Sequence, residues 1–80
     1  MEMLCFYFHL RDGNHLIEDL DGSELPDLET ARAKAVAAAR EVIAEQLRTG
    51  QAVGGRSFEI ADEGGRVLTT VTLRDAVWLH

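Results

Sequence analysis

An 80-residue chain with 46% hydrophobic and 28% charged side chains has the composition of one folded domain, residues 1–80, of modest stability and not that of a disordered segment. Its 8 basic and 14 acidic residues give a net charge of −6, which repels phosphate backbones and excludes generic nucleic-acid binding. No apolar run approaches the roughly 18 residues that span a bilayer, and the N-terminal MEMLCFYF has an acid where a secretory leader needs a basic flank. With one cysteine, Cys5, and no CxxC pair, the expectation is a cytoplasmic protein with no membrane association, disulfide, metal or cofactor.

The first element is predicted over MLCFYFHL, residues 3–10, a stretch too short for a typical core helix and rich in aromatics. As a strand it sets Leu4, Phe6, Phe8 and Leu10 on one face and Met3, Cys5, Tyr7 and His9 on the other. RDGN supplies turn chemistry, and HLIED resumes as a second strand to complete a hairpin. That hairpin carries His9, Asp12, His15, Glu18 and Asp19, residue types that ligate metals or move protons. Strand geometry constrains them. With a two-residue turn at Gly13-Asn14 or Asp12-Gly13, partner numbers sum to 27 or 25, and His9 and His15 then point to opposite faces. Only a bulged turn pairing Arg11 with His15 would bring both imidazoles to one face. The apolar pattern favours the odd sums, which set Ile17 beside Phe8 or Leu10 and add it to the core.

LDGSELPD reads as a loop, and its proline, Pro26, disfavours helical geometry at Leu25. Asp27 is then the N-cap of a helix that starts at about Leu28 and closes at Gly50. On this alanine-rich helix Leu28, Ala31, Ala35, Ala38, Ala39 and Val42 form one stripe. Val36, Ile43 and Leu47 form its shoulder, while Lys34, Glu41, Glu45 and Arg48 lie opposite. QAVGG connects to RSFEIAD and RVLTTVTL, two strands around EGG, with Phe58, Ile60, Val67, Val71 and Leu73 as their inward residues. The order β-β-α-β-β predicts an α+β fold, a four-stranded antiparallel sheet with one long helix packed on one face. The tail RDAVWLH is too short to classify.

A single helix about 10 Å across covers only one face of four strands spaced about 4.8 Å apart. The other face is therefore expected to present an apolar patch, and Cys5, Tyr7, His9, Leu68 and Trp78 are the candidate interaction surface for a homodimer or another protein partner. The rival reading is a small-ligand or metal site, or an enzyme, using His9, His15 and Glu18 near the first turn. A basic patch of Arg56, Arg66 and Arg74 is the remaining route to nucleic acid, opposed by the overall charge. Gly54-Gly55-Arg56 and Gly64-Gly65-Arg66 sit where turns are needed and lead into no helix, unlike a phosphate-cradling loop. The acids Glu18, Asp19, Asp21, Glu24, Asp27 and Glu29 lack calcium-loop spacing and read as a solvated loop with helix N-terminal acids. Ser23 and Ser57 lack a nucleophile-elbow context. No catalytic, metal-binding or cofactor-binding residue is assigned, and the expectation is a protein that is not an enzyme.

Tyr7 to Gly13 (YFHLRDG), Glu18 to Ala31 (EDLDGSELPDLETA) and Phe58 to Gly65 (FEIADEGG) together resemble a family of small alphaproteobacterial proteins with a domain of unknown function. The resemblance spans nearly the whole chain and implies no activity. ELPDLETARAKAVAAA also resembles, more weakly, the strand-strand-helix half of HicB-type antitoxins, implying a dimerising, partner-binding use without their DNA-binding segment.

Overall fold

The computed structural model describes residues 2–51 and 55–77. The chain runs β1 (Leu4–Asp12), β2 (His15–Ile17), β3 (Ser23–Leu25), α1 (Leu28–Arg48), β4 (Ser57–Ala61), β5 (Val67–Thr72) and a four-residue turn of helix, α2 (Leu73–Ala76). The five strands form one open antiparallel sheet in the order β2-β1-β4-β5, and β3 also pairs with β1. The α+β architecture is the expected one, with one strand more: Ser23–Leu25, read above as loop, pairs with Leu4–Phe6. Three residues of SEL carry no local strand pattern; the partner strand makes them one.

β1 pairs with β2 through Leu10↔Ile17, Arg11↔Leu16 and Asp12↔His15, the odd register with Gly13-Asn14 as the turn. Gly13 has φ +62, and no described non-glycine residue, Asn14 included, has positive φ, the geometry of a hairpin turn with glycine at its first position. Ile17 nevertheless lies outside the core at 53% exposure. It shares a face with Leu10, but β2 is the sheet's edge, and α1 packs over β4 and β5 instead.

α1 begins where Pro26-Asp27 predicts: the Asp27 carboxylate accepts the Thr30 N–H at 2.7 Å. It ends in a Schellman motif, Gln51 N–H to the Gln46 carbonyl at 2.7 Å and Gly50 N–H to Leu47 at 3.2 Å, with Gly50 at φ +78. Its buried face is Ala31, Ala35, Ala39, Ile43 and Gln46. The stripe is thus rotated from the expected one, and Leu28 and Leu47 are left exposed. Alanines at this contact bring the helix close to Phe6, Ile60 and Val71, which with Leu73 and Ala76 complete the core.

At the start of β5 the ladder shifts: Ile60 pairs with Thr69 but Ala61 with Val67, so Leu68 is an extra, bulged residue. The shift reverses the alternation and turns Val67 outward, correcting its expected place in the core. Leu73, expected to end the fourth strand, instead opens α2 with its N–H bonded to the Arg56 carbonyl at 3.0 Å. Arg40 of α1 holds α2 by donating to the Ala76 carbonyl at 2.9 Å.

Gln46 is buried with its Oε1 unpartnered among the described residues. A buried acceptor without a donor costs roughly 1–3 kcal/mol. Gln46→Met, which keeps the length and removes the polar atom, is expected to stabilise the domain by about 1 kcal/mol, read as a higher urea midpoint at unchanged slope.

Candidate functional site

Because β2 and β3 share one edge of β1 but pair only with its two ends, the middle of that edge, Tyr7 to His9, has no strand beside it. The connecting segment Glu18–Gly22 fills the gap. Asp19 Oδ2 accepts the Phe8 N–H at 3.1 Å, taking the place of a ladder carbonyl, and the Asp19 N–H donates to His9 Nδ1 at 3.0 Å. Asp19 Oδ1 closes the segment on itself by accepting the N–H groups of Asp21 and Gly22, each at 3.2 Å. Burial alone would raise the Asp19 carboxyl, but the amides of Phe8, Gly22 and Asp21, with His9 beside them, outweigh it and hold it below its ordinary value.

Gly22, at φ +72, lies flat on the outer face of β1: a Cβ there would stand 2.9 Å from Cys5 Sγ and 2.9 Å from Tyr7 Cε2. Tyr7 stacks on His9 with ring centroids 6.3 Å apart. The Cys5 thiol, then burial and the acids Glu63 and Asp19, raise the Tyr7 phenol above its ordinary value. Further along the same face Arg11 Nε and Glu59 Oε2 pair at 2.8 Å, and Arg11 is the main cause of a lowered Glu59 carboxyl. The predicted apolar patch is therefore a half-covered, largely polar surface: Cys5 and Tyr7 lie partly buried under Gly22, and His9 bonds the segment above it.

The sequence-derived surface residues are thus divided. Cys5, Tyr7 and His9 share the strapped face. Leu68 lines a hollow of about 520 Å³ at the end of the sheet, together with Met3, Leu4, Cys5, Phe6 and Glu63, so that Cys5 borders both the strap and this hollow. Trp78 lies outside the described residues. The shared His9, His15 and Glu18 site is overturned by the register, since His15 pairs with Asp12 and points to the face opposite His9. Among the described residues, no group of three His, Cys, Asp or Glu side chains converges as a metal site, and no helix is long and apolar enough to cross a membrane. Of the three arginines weighed as a basic patch, Arg56 donates to Asp12 Oδ2 at 3.2 Å and Arg74 lies beside it in a shallow depression, while Arg66 stands at the opposite end of β5. Gly65 makes the expected turn at φ +85, whereas Gly54 lies outside the described residues.

Asp19, a candidate for metal or proton chemistry in the hairpin and a member of the acid cluster read as solvated, instead closes the β1 edge, a role that sequence reasoning misses. Its signal is local: in both DLDG (19–22) and DEGG (62–65) an aspartate Oδ1 accepts amides of the following residues, and the fourth residue is a glycine at positive φ.

A split sheet edge closed by an aspartate strap, on a five-stranded sheet with one covering helix, defines a small α+β domain whose quoted stretches serve its architecture. A family model for a domain of unknown function, DUF6894, matches residues 5–74, and the chain belongs to that family. No curated protein and no solved structure matches the chain significantly.

Proposed function

We propose that the domain is a dimerising module that pairs with a second copy of itself along the open edge of β5 and performs no chemical step of its own. The observation that carries this reading is the difference between the two edges of the sheet. The β1 edge is broken into two three-residue strands, pinned by Asp19 and bordered by Glu18, Asp21 and Glu24, all devices that discourage further strand pairing. The β5 edge is six residues long, reads VLTTVT, and carries neither charge nor proline. Beyond the bulge at Leu68 its ladder runs regularly from Thr69 to Thr72.

An uncharged, β-branched edge presents unpaired N–H and C=O groups that another strand satisfies. A second copy fits it because an antiparallel strand is its own complement about a two-fold axis, and two-fold dimers are the commonest soluble assemblies. Val67 and Leu68, 47% and 38% exposed, begin this edge, and Met3 and Leu4 continue the apolar surface around the end hollow. Strand pairing brings these residues of each copy towards the other and removes them from water. The weaker likeness to the dimerising half of HicB-type antitoxins points the same way at the level of fold.

Sedimentation tests the proposal. The wild-type chain is expected to run as a dimer at concentrations on the order of 100 µM. Thr70→Lys, at an exposed position in the middle of β5, is expected to run as a folded monomer, because two like charges meet across the pairing. A monomeric wild type, or an unchanged dimer in Thr70→Lys, contradicts it.

A further inference from the structure

We infer that segment 18–22 is a histidine-latched strap: protonation of His9 releases it from β1 and uncovers Cys5 and Tyr7. The inference starts from which nitrogen of His9 does what. Nδ1 accepts the Asp19 N–H at 3.0 Å, so in the neutral ring the proton sits on Nε2. An imidazolium carries a proton on both nitrogens. Its Nδ1–H then faces the Asp19 N–H, donor against donor, and one of the two bonds that tie Asp19 to β1 is lost; the other is the Phe8 N–H to Asp19 Oδ2.

The groups around His9 come from every element packed against it. Asp19 of the strap, Glu59 of β4, and Asp62 and Glu63 of the β4–β5 turn present carboxylates around it, the last two across a groove of about 220 Å³ that His9 also lines. Arg11, the cation two residues along β1, is tied to Glu59, and Tyr7 stacks on the ring. None of these acids replaces the acceptor that the Asp19 amide loses when Nδ1 carries a proton.

The strap is also poised to lift. Beyond Asp19 it is held by its own internal bonds and by the contact of Gly22 with Cys5 and Tyr7, and Leu20 at its tip is exposed. Little apolar burial opposes opening, which is the condition for a local transition instead of global unfolding. What opening exposes further is a thiol and a phenol, both partly buried beneath Gly22.

Amide exchange of the full chain, corrected for the intrinsic pH dependence of exchange, tests this at about pH 7.5 and 5.5, either side of the ordinary histidine range. The Asp19 and Gly22 amides are expected to lose protection about tenfold on acidification, while Ile60 in the core keeps its own. His9→Asn, whose side-chain carbonyl offers an acceptor that does not titrate, is expected to hold the same protection at both pH values. Nitrogen shifts of His9 are expected to report an Nε2–H tautomer at the higher pH. Equal strap protection at the two pH values in the wild type, an equal loss in His9→Asn, or an Nδ1–H tautomer overturns the inference. The wild-type comparison and the tautomer decide it even if His9→Asn does not fold.

Discussion

Leu73→Ala is expected to destabilise the domain by about 2–5 kcal/mol, a large share of the stability of so small a chain. Leu73 and Ile60 are the largest fully buried side chains described, each at 0% exposure. Leu73 also sits at the joint where β5 becomes α2, its N–H held by the Arg56 carbonyl. Truncation leaves a cavity between α1, α2 and the sheet that alanines along α1 cannot fill, since they have no further rotamers to move into it. Leu47→Ala is the matched control: Leu47 stands on the same helix that caps this core but is 64% exposed, and its loss is expected to stay within about 0.5 kcal/mol. Urea unfolding followed by far-ultraviolet circular dichroism measures both, and similar losses for the two leucines would contradict the packing described.

Gly22→Ala is expected to cost about 2–3 kcal/mol, against about 1 kcal/mol for Gly13→Ala. Both glycines have positive φ, +72 and +62, so the backbone strain of an L side chain is common to the two. They differ in what the new methyl meets. At Gly13 there is nothing within 4 Å, whereas at Gly22 it stands 2.9 Å from both the Cys5 sulfur and the Tyr7 ring, which must shift on the sheet or force the strap away. The difference between the two variants therefore isolates the contact of the strap with the outer face. Gly22→Ala is also expected to abolish the protection of the Asp19 amide while the core amides keep theirs, and equal costs at the two glycines would show that the strap does not rest on β1.

The elements that local chemistry specifies were legible in the chain. Asp27 after Pro26 starts α1, Gly50 ends it, and Asp12 to Asn14 turn the first hairpin; the apolar pattern favours an odd register, which parts the two histidines, but only the pairing itself selects Gly13-Asn14 over Asp12-Gly13. What pairing across the fold decides was not legible. β3 exists because Leu4–Phe6 offers it an edge. Ile17 has the right parity for the core but lies on the edge strand, beyond the cover of the helix, and one extra residue at Leu68 turns Val67 outward. Gln46, outside both the stripe and the shoulder that the pattern gives, takes a core position because the buried face is rotated about the helix axis towards Ile43.

The candidate surface divides in the same way. His9 and Tyr7 were singled out from alternation along β1, and they do share a face, but the cover over them was not visible in the pattern. It depends on Asp19 reaching a backbone amide eleven residues away, a contact between two segments that only the gap between β2 and β3 brings together. The proposed interaction surface accordingly lies on the β5 edge and not on the outer face, and VLTTVT has neither charge nor proline, but its place at the sheet edge is set by pairing and was not legible.

Mixing isotope-labelled with unlabelled chains and recording nuclear Overhauser effects between the two kinds of copy tests the pairing of β5 most directly. Contacts between the backbone protons of Thr69–Thr72 in one copy and the same segment of the other, running antiparallel, are the expected result. Absence of intermolecular contacts, or their appearance on β2 and β3 instead, would contradict a dimer built on this edge.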